Sequence, residues 1–420
     1  MKPKKLFTFF TLAALLALLC FSTLSCGDEL NAVQDSHFNE EGELVQAPEF
    51  FKIQEPQQIN FYVEVSGSMN GFFRGNYPTK FKSDVYNVMS QLSALSGEVK
   101  VLSNGGTIDN TMTIDQFRSI MNSGAFASTE STDMPTMLKT IINDIDSLGT
   151  AVLISDMVYS PVGNAAPEVL LSQYSTEVAK ILGGSGKAVS LIAATSEFID
   201  KGGNISVKES PYYYLVIGDP ANVAFVNNAI SSLLQLKDSY VDNIVSGFDY
   251  KQARYSFGTC PQALQLDNQP TFYGLGGSDE DACEIKLKVD LSNYRWIITE
   301  KQLFEKCFFI KPTYGSVVNV KNIDIHIDNF DNKELKRNAY AEVLITVTNI
   351  PQDAEVLEWY INTDAIDMDI TLMDRFFGAV SENDRTKSYS VDNFIKGMFQ
   401  GGIVVKSGDK HNYILISKKG

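Results

Sequence analysis

The sequence predicts an α/β protein. A doubly wound, mostly parallel sheet is expected over residues 58–240, then a β-rich, sandwich-like domain over 285–385 and a short C-terminal α+β segment over 386–420. Three observations carry this reading. Between residues 58 and 240, short apolar runs alternate with stretches of helical periodicity, as in strands joined by helical crossovers. One of those runs, Ala151-Val-Leu-Ile154, is apolar throughout, as a strand covered on both faces must be. From residue 285 the period becomes two: Ile285, Leu287, Val289 and Leu291 are separated by Lys286, Lys288 and Asp290. That puts one face on a core and the other in water. At 420 residues the chain is also too long for one hydrophobic core.

In chain order, residues 59–65 form the first strand, with Ile59, Phe61 and Val63 alternating with more polar neighbours. A loop follows, and then a helix over about 80–95. Its apolar face is Phe81, Val85, Val88, Met89, Leu92 and Leu95, and Gly97 stops it. Residues 98–102 are a strand, and 113–121 a helix with Thr113 as N-cap. Pro135 opens the next helix, which runs to about Ser147; Ala151–Ile154 is the buried strand, ending in Ser155-Asp156. A helix over 166–182, strands over 187–194 and 212–217, and a helix over 221–236 complete the unit. Gly183-Gly-Ser-Gly-Lys187 is not a phosphate loop, because Ala188 stands where a hydroxyl is needed and a strand follows.

Residues 241–284 lack periodicity and read as a loop-rich connector. Beyond it, strands are expected at 285–291, 323–327, 339–348, 357–361 and 368–372. In the last segment, Phe394, Ile395, Met398 and Phe399 mark a helix over 391–399. Residues 403–406 and 413–417 flank Gly408-Asp409 as a hairpin.

The N-terminus carries its own signal. Lys2, Lys4 and Lys5 precede an apolar run from Leu6 to Phe21, the length of a signal-peptide core. The run ends in Thr23-Leu24-Ser25-Cys26, which resembles a bacterial lipoprotein signal. That resemblance implies removal of residues 1–25 and acylation of Cys26, with 26–57 as a flexible acidic tether. Acids close behind Cys26 also resemble surface-export signals of Gram-negative lipoproteins. The expected location is therefore the cell envelope, as an outer-membrane lipoprotein, periplasmic or surface-exposed.

A net charge of −16 argues against nucleic-acid binding. If Cys20 leaves with the signal and Cys26 is acylated, Cys260, Cys283 and Cys307 remain. Cys260 and Cys283 bracket a Gly- and acid-rich loop and are the preferred disulfide pair. His37, His326 and His411 lie far apart in the chain, which weakens any triad.

The stretch with most chemistry is Glu64-x-Ser66-x-Ser68, a carboxylate and two hydroxyls at the end of the first strand. Thr132 and Asp156 follow at later strand–helix edges. Oxygen ligands of this kind suit a hard cation, and strand ends of open α/β sheets are where ligands bind. Residues 58–240 resemble a von Willebrand factor A domain, a Rossmann-like fold. Its metal-ion-dependent adhesion site has Asp-x-Ser-x-Ser, a Thr and an Asp in this order. The resemblance implies that Ser66, Ser68 and Thr132 contact a divalent cation, Mg²⁺ or Ca²⁺. Asp156 and Glu64 would bind directly or through water, and a partner's acidic group would fill the open position. Glu64 departs from the family pattern, being one methylene longer than the usual Asp.

The function implied is non-enzymatic: capture of a protein or glycan ligand by a lipid-anchored adhesion protein. The alternatives are an envelope assembly scaffold with a degenerate, metal-free A domain, and a metal-dependent hydrolase.

Overall fold

The computed structural model describes residues 35–418 apart from 51, 97, 104, 127–130, 132, 146–148, 160–166, 248–251, 276–281, 293, 295–297, 299, 328–338, 351–353, 363–373, 380, 382 and 402–410. The protein is mixed α/β, with one large sheet of parallel and antiparallel strands and two further sheets. The large sheet has β1 (Gln58–Glu64), β2 (Val99–Ser103), β3 (Thr107–Met112), β4 (Gly149–Ser155), β5 (Ala188–Ile199), β6 (Ile205–Gly218) and β7 (Tyr240–Ser246), in the order β3-β2-β1-β4-β6-β5-β7.

Helices cover both faces of this sheet, as expected. They are α1 (Asn70–Phe73), α2 (Lys80–Gln91), α3 (Ile114–Ser123), α4 (Met134–Asp144), α5 (Pro167–Ser185) and α6 (Pro220–Leu236). Alternation along β1 decides which face each residue serves. Ile59, Phe61 and Val63 pack with Phe72, Phe81, Val85, Phe117 and Ile230 from α1, α2, α3 and α6. Tyr62 faces the other way, with Met137 and Leu138 of α4 and Tyr174 and Val178 of α5.

The expectation of a mostly parallel sheet is corrected. Only β1–β2 and β1–β4 are parallel neighbours; β2–β3, β4–β6, β6–β5 and β5–β7 are antiparallel. The reason lies in the link between β5 and β6. A parallel crossover needs a dozen or more residues, whereas here a tight turn reverses the chain. Asn204 N–H donates to Asp200 Oδ1 at 2.9 Å, and Gly203 supplies a φ of +84°. β6 therefore inserts beside β4, pairing antiparallel with both neighbours.

The stretch expected as a connector is also structured. It contributes β7 to the first sheet and β8 (Tyr255–Phe257), β9 (Leu264–Gln265) and β10 (Thr271–Tyr273) to the second unit. That unit adds β11 (Ala282–Asp290), α7 (Lys301–Cys307), β12 (Phe308–Pro312), β13 (Val317–Ile327), β14 (Ala339–Thr348) and β15 (Ala354–Ile361), then α8 (Val391–Gly401) and β16 (Asn412–Ser417). The sheets run β13-β14-β11-β8 and β12-β15-β16-β10-β9. Their inner faces share a core: Ile285 and Leu287 of β11 and Val343 and Ile345 of β14 lie with Leu357, Trp359, Ile414 and Ile416. Tyr255 and Trp359 meet edge to face at 5.3 Å, so the predicted sandwich is present in outline. The strand expected at 368–372 and the first arm of the expected hairpin, 403–406, lie outside the described residues.

Both chain ends depart from the expected boundaries. Residues 26–57 were expected to form a flexible tether, yet from residue 35 the chain lies on the sandwich. Phe38 is buried with Ala354, Val356 and Leu415, the His37 ring stacks on Tyr413 at 3.7 Å, and Tyr314 donates its hydroxyl to Asp35 at 2.8 Å. Phe38, His37 and Asp35 together anchor this acidic run.

At the other end, the final segment is divided between the two units. β16 sits between β15 and β10, while α8 packs on α5 of the first unit through Val391, Phe394 and Met398. The contact is backbone to backbone. A Cβ at Gly397 would fall 2.6 Å from Val178 Cβ and 2.7 Å from the Ser175 carbonyl oxygen; one at Gly401 would fall 2.0 Å from the Ala179 carbonyl oxygen.

This fixes the sign of a prediction. In an isolated helix, Gly→Ala gains about 1 kcal/mol. Here overpacking against backbone costs about 1–3 kcal/mol. Gly397→Ala is therefore expected to lower stability in chemical denaturation; a stabilised variant would mean that α8 sits off α5 in solution.

Candidate functional site

Parallel pairing of β1 with β4 aligns their C-terminal ends: Val63 faces Ile154, so Glu64 comes beside Ser155 and the following loops lie side by side. Glu64 is fully buried, and Ser155 donates its hydroxyl to Glu64 Oε2. Ser155 Oγ in turn accepts from Met157 N–H at 2.8 Å. That bond, with burial of the side chain, holds Met157 at a left-handed φ of +55°.

The loops that follow the two strands supply the rest of the cluster. Ser66 Oγ and Ser68 Oγ are 2.9 Å apart, and Ser68 hydrogen-bonds the Asp156 carboxylate. A hydroxyl has one proton to give. With Ser68 donating to Asp156, Ser66 donates to Ser68, which makes a directed chain ending on a carboxylate only 3% exposed. Asp156 Oδ1 also accepts from Val158 N–H at 3.1 Å. Burial pushes the Asp156 carboxyl above its ordinary value, against the opposing pull of the Arg385 charge and of these hydrogen bonds.

Of the residues expected at this site, Glu64, Ser66, Ser68 and Asp156 are brought to one end of the sheet. Thr132 lies outside the described residues, as does Cys26. Asp133, next to Thr132, caps α4: its carboxylate accepts from Thr136 N–H at 3.4 Å and from the Thr136 hydroxyl at 2.7 Å. Cys260 and Cys283 are unbonded, with Sγ atoms 3.7 Å apart; Cys307 is buried elsewhere, with its thiol directed at the Phe304 carbonyl at 3.5 Å.

Four participants carry no signal in the sequence. Ser155 is an ordinary strand residue. Tyr159 and Tyr174 stack face to face at 4.0 Å. Burial first, then Asp133 and Glu177, push the Tyr159 phenol up to about 12; the Tyr174 phenol, fully buried, is raised further by burial, by Tyr159 and by Glu64. Both phenols are thus neutral, and the buried Tyr174 hydroxyl has no hydrogen-bond partner among the described residues.

The fourth is Arg385, which belongs to the segment after the sandwich. Its guanidinium stands 3.9 Å from Asp156 Oδ2 and over the Phe198 ring, 5.1 Å from the centroid. Nearby, Ser388 donates its hydroxyl to the Asp156 carbonyl at 2.9 Å across 232 residues of sequence, and Tyr159 N–H donates to the Tyr389 carbonyl at 3.2 Å.

The donor set has the oxygen chemistry of a hard cation. Among the described residues, which leave out Thr132, Glu64 is turned to Ser155 and the Arg385 guanidinium faces Asp156 at 3.9 Å. The three histidines lie elsewhere: His37 stacks on Tyr413, His326 on Tyr340 and His411 on Tyr360. The cluster can therefore bind through hydroxyls and charge, while proton transfer by an imidazole has no donor here among the described residues. No family model matches the chain, and neither does any curated protein or solved structure.

Proposed function

We propose that the protein is a cell-envelope lipoprotein that works by binding: a von Willebrand A-like domain carried on a β-sandwich, anchored by lipid on Cys26, capturing a protein or glycan partner. The observation that supports binding over hydrolysis is the make-up of the strand-end cluster. Ser66 and Ser68 hydrogen-bond to each other and to Asp156, with no activating base beside them among the described residues.

Between cation-bridged adhesion and a metal-independent assembly module, the pairing of Asp156 with Arg385 favours the second. The acidic surface of a chain of net charge −16 suits a basic or neutral partner, not a nucleic acid. Among the described residues no helix is long and apolar enough to cross a membrane. The proposed anchor is the acylated Cys26.

The test has two arms. Wild type should take up labelled fatty acid and sediment with outer membranes, and Cys26→Ser should do neither. Immobilised protein should retain the same envelope component with and without EDTA. Turnover of ester, phosphate or glycoside substrates would overturn the binding role, and EDTA-sensitive capture would restore the cation-bridged form.

A further inference from the structure

We propose that Arg385 is the resident cation of the strand-end site, its guanidinium holding in cis the position beside Asp156, Ser66 and Ser68 that a divalent ion would otherwise take. This deepens the metal-independent reading, but it is read from ion binding and not from capture, so the two fail separately.

Three observations carry it. First, Asp156 is buried with the Arg385 guanidinium 3.9 Å from its Oδ2, and the charge acting on it is that of Arg385. Second, Arg385 sits in a built socket. Its side chain is 19% exposed, its guanidinium lies over Phe198, and its carbonyl accepts the Ser210 hydroxyl at 2.7 Å. Phe198 is fixed in turn, because a Cβ on Gly71 would fall 2.3 Å from its ring; only glycine lets α1 approach that closely.

Third, the segment bearing Arg385 is shaped and held. Asp384 closes a local turn around Arg385, accepting from Thr386 N–H at 2.9 Å and the Thr386 hydroxyl at 2.6 Å. After it, Ser388 and Tyr389 bond the loop that follows Asp156. Arg385 thereby ties the segment entering α8 to the ends of β1 and β4, and ion entry and arginine docking become mutually exclusive.

The experiment measures Mn²⁺, Mg²⁺ and Ca²⁺ binding by purified full-length protein, by calorimetry and by thermal shift. Wild type and Arg385→Lys should show no saturable binding at the site. Arg385→Gln should gain a site for Mn²⁺ about 100-fold tighter or more, since a divalent ion no longer meets a like charge about 4 Å away. Adding Ser68→Ala to Arg385→Gln should abolish the gain.

Should Arg385→Gln unfold on purification, refolding by millimolar Mn²⁺ is the expected result, because the ion replaces the missing charge. The proposal is overturned if wild type binds Mn²⁺ as tightly as Arg385→Gln, or if the gained site survives Ser68→Ala. It is equally overturned if Arg385→Gln, folded or not, is indifferent to all three ions.

Discussion

Replacing Glu355 by alanine is expected to cost the fold about 3 kcal/mol, because buried backbone donors lose their acceptor at about 1–3 kcal/mol each. Glu355 is the second residue of β15 and is fully buried in the sandwich. Its Oε1 accepts from Thr313 N–H at 2.9 Å, Tyr314 N–H at 2.8 Å and its neighbour Val356 N–H at 2.9 Å; Oε2 accepts from Ser316 N–H at 2.9 Å. The carboxylate thus closes the turn between β12 and β13, where Gly315 takes a φ of +107°.

Alanine removes the acceptor of Tyr314 N–H and Ser316 N–H, each costing about 1–3 kcal/mol if it stays buried, while Thr313 N–H keeps the Val356 carbonyl at 2.9 Å. The turn will instead open to water and give up packing. Glu355→Gln keeps the shape and one acceptor oxygen but points an amide NH₂ at a donor, so a smaller loss is expected. Because Tyr314 also holds Asp35, Glu355→Ala should expose the N-terminal strap to protease as well. Urea denaturation and amide exchange at Thr313, Tyr314 and Ser316 check this. If both variants stay within about 0.5 kcal/mol of wild type, the carboxylate is not the keystone of the turn.

Glu355 illustrates which parts of this molecule could be read in advance. Periodicity reports which side chains face a core, so β11 and β14 were legible from alternation alone, as was the apolar face of α2. The nearness of Glu64 and Asp156 was legible too, since two parallel neighbouring strands must end side by side. Polar partners brought together from distant segments leave no such trace. Glu355 looks like one more acid in Asp-Ala-Glu-Val, and Arg385 like one more cation in Asn-Asp-Arg-Thr-Lys. Strands of two or three residues, such as β8, β9 and β10, are too short to show a period. The β5–β6 hairpin is not among the expected elements, because the strands read at 187–194 and 212–217 stop short of the turn between Ile199 and Ile205.

Cys260 and Cys283 are expected to form a disulfide when the protein matures in an oxidising compartment, stabilising it by about 3 kcal/mol through the loop that the bond closes. The two thiols stand 23 residues apart in sequence and 3.7 Å apart in space, Cys260 in the loop after β8 and Cys283 on β11. Their chemistry suits closure. The Cys283 thiol hydrogen-bonds Cys260 and brings it down to about 6, while that contact and burial push Cys283 up. Cys260 is thus the thiolate and Cys283 the thiol.

The sign with pH follows: the reactive form of Cys260 is present above about pH 6 and lost below it, so oxidation should slow as pH falls through that value. Buried Cys307 should stay unpaired. Intact mass of protein isolated from the envelope should be lower by two hydrogens, and Cys283→Ser should lower the melting temperature only against the oxidised wild type. Protein made in a reducing cytosol should show no such difference between variant and wild type. A free Cys260 in envelope-derived protein would count against both the pairing and the proposed compartment.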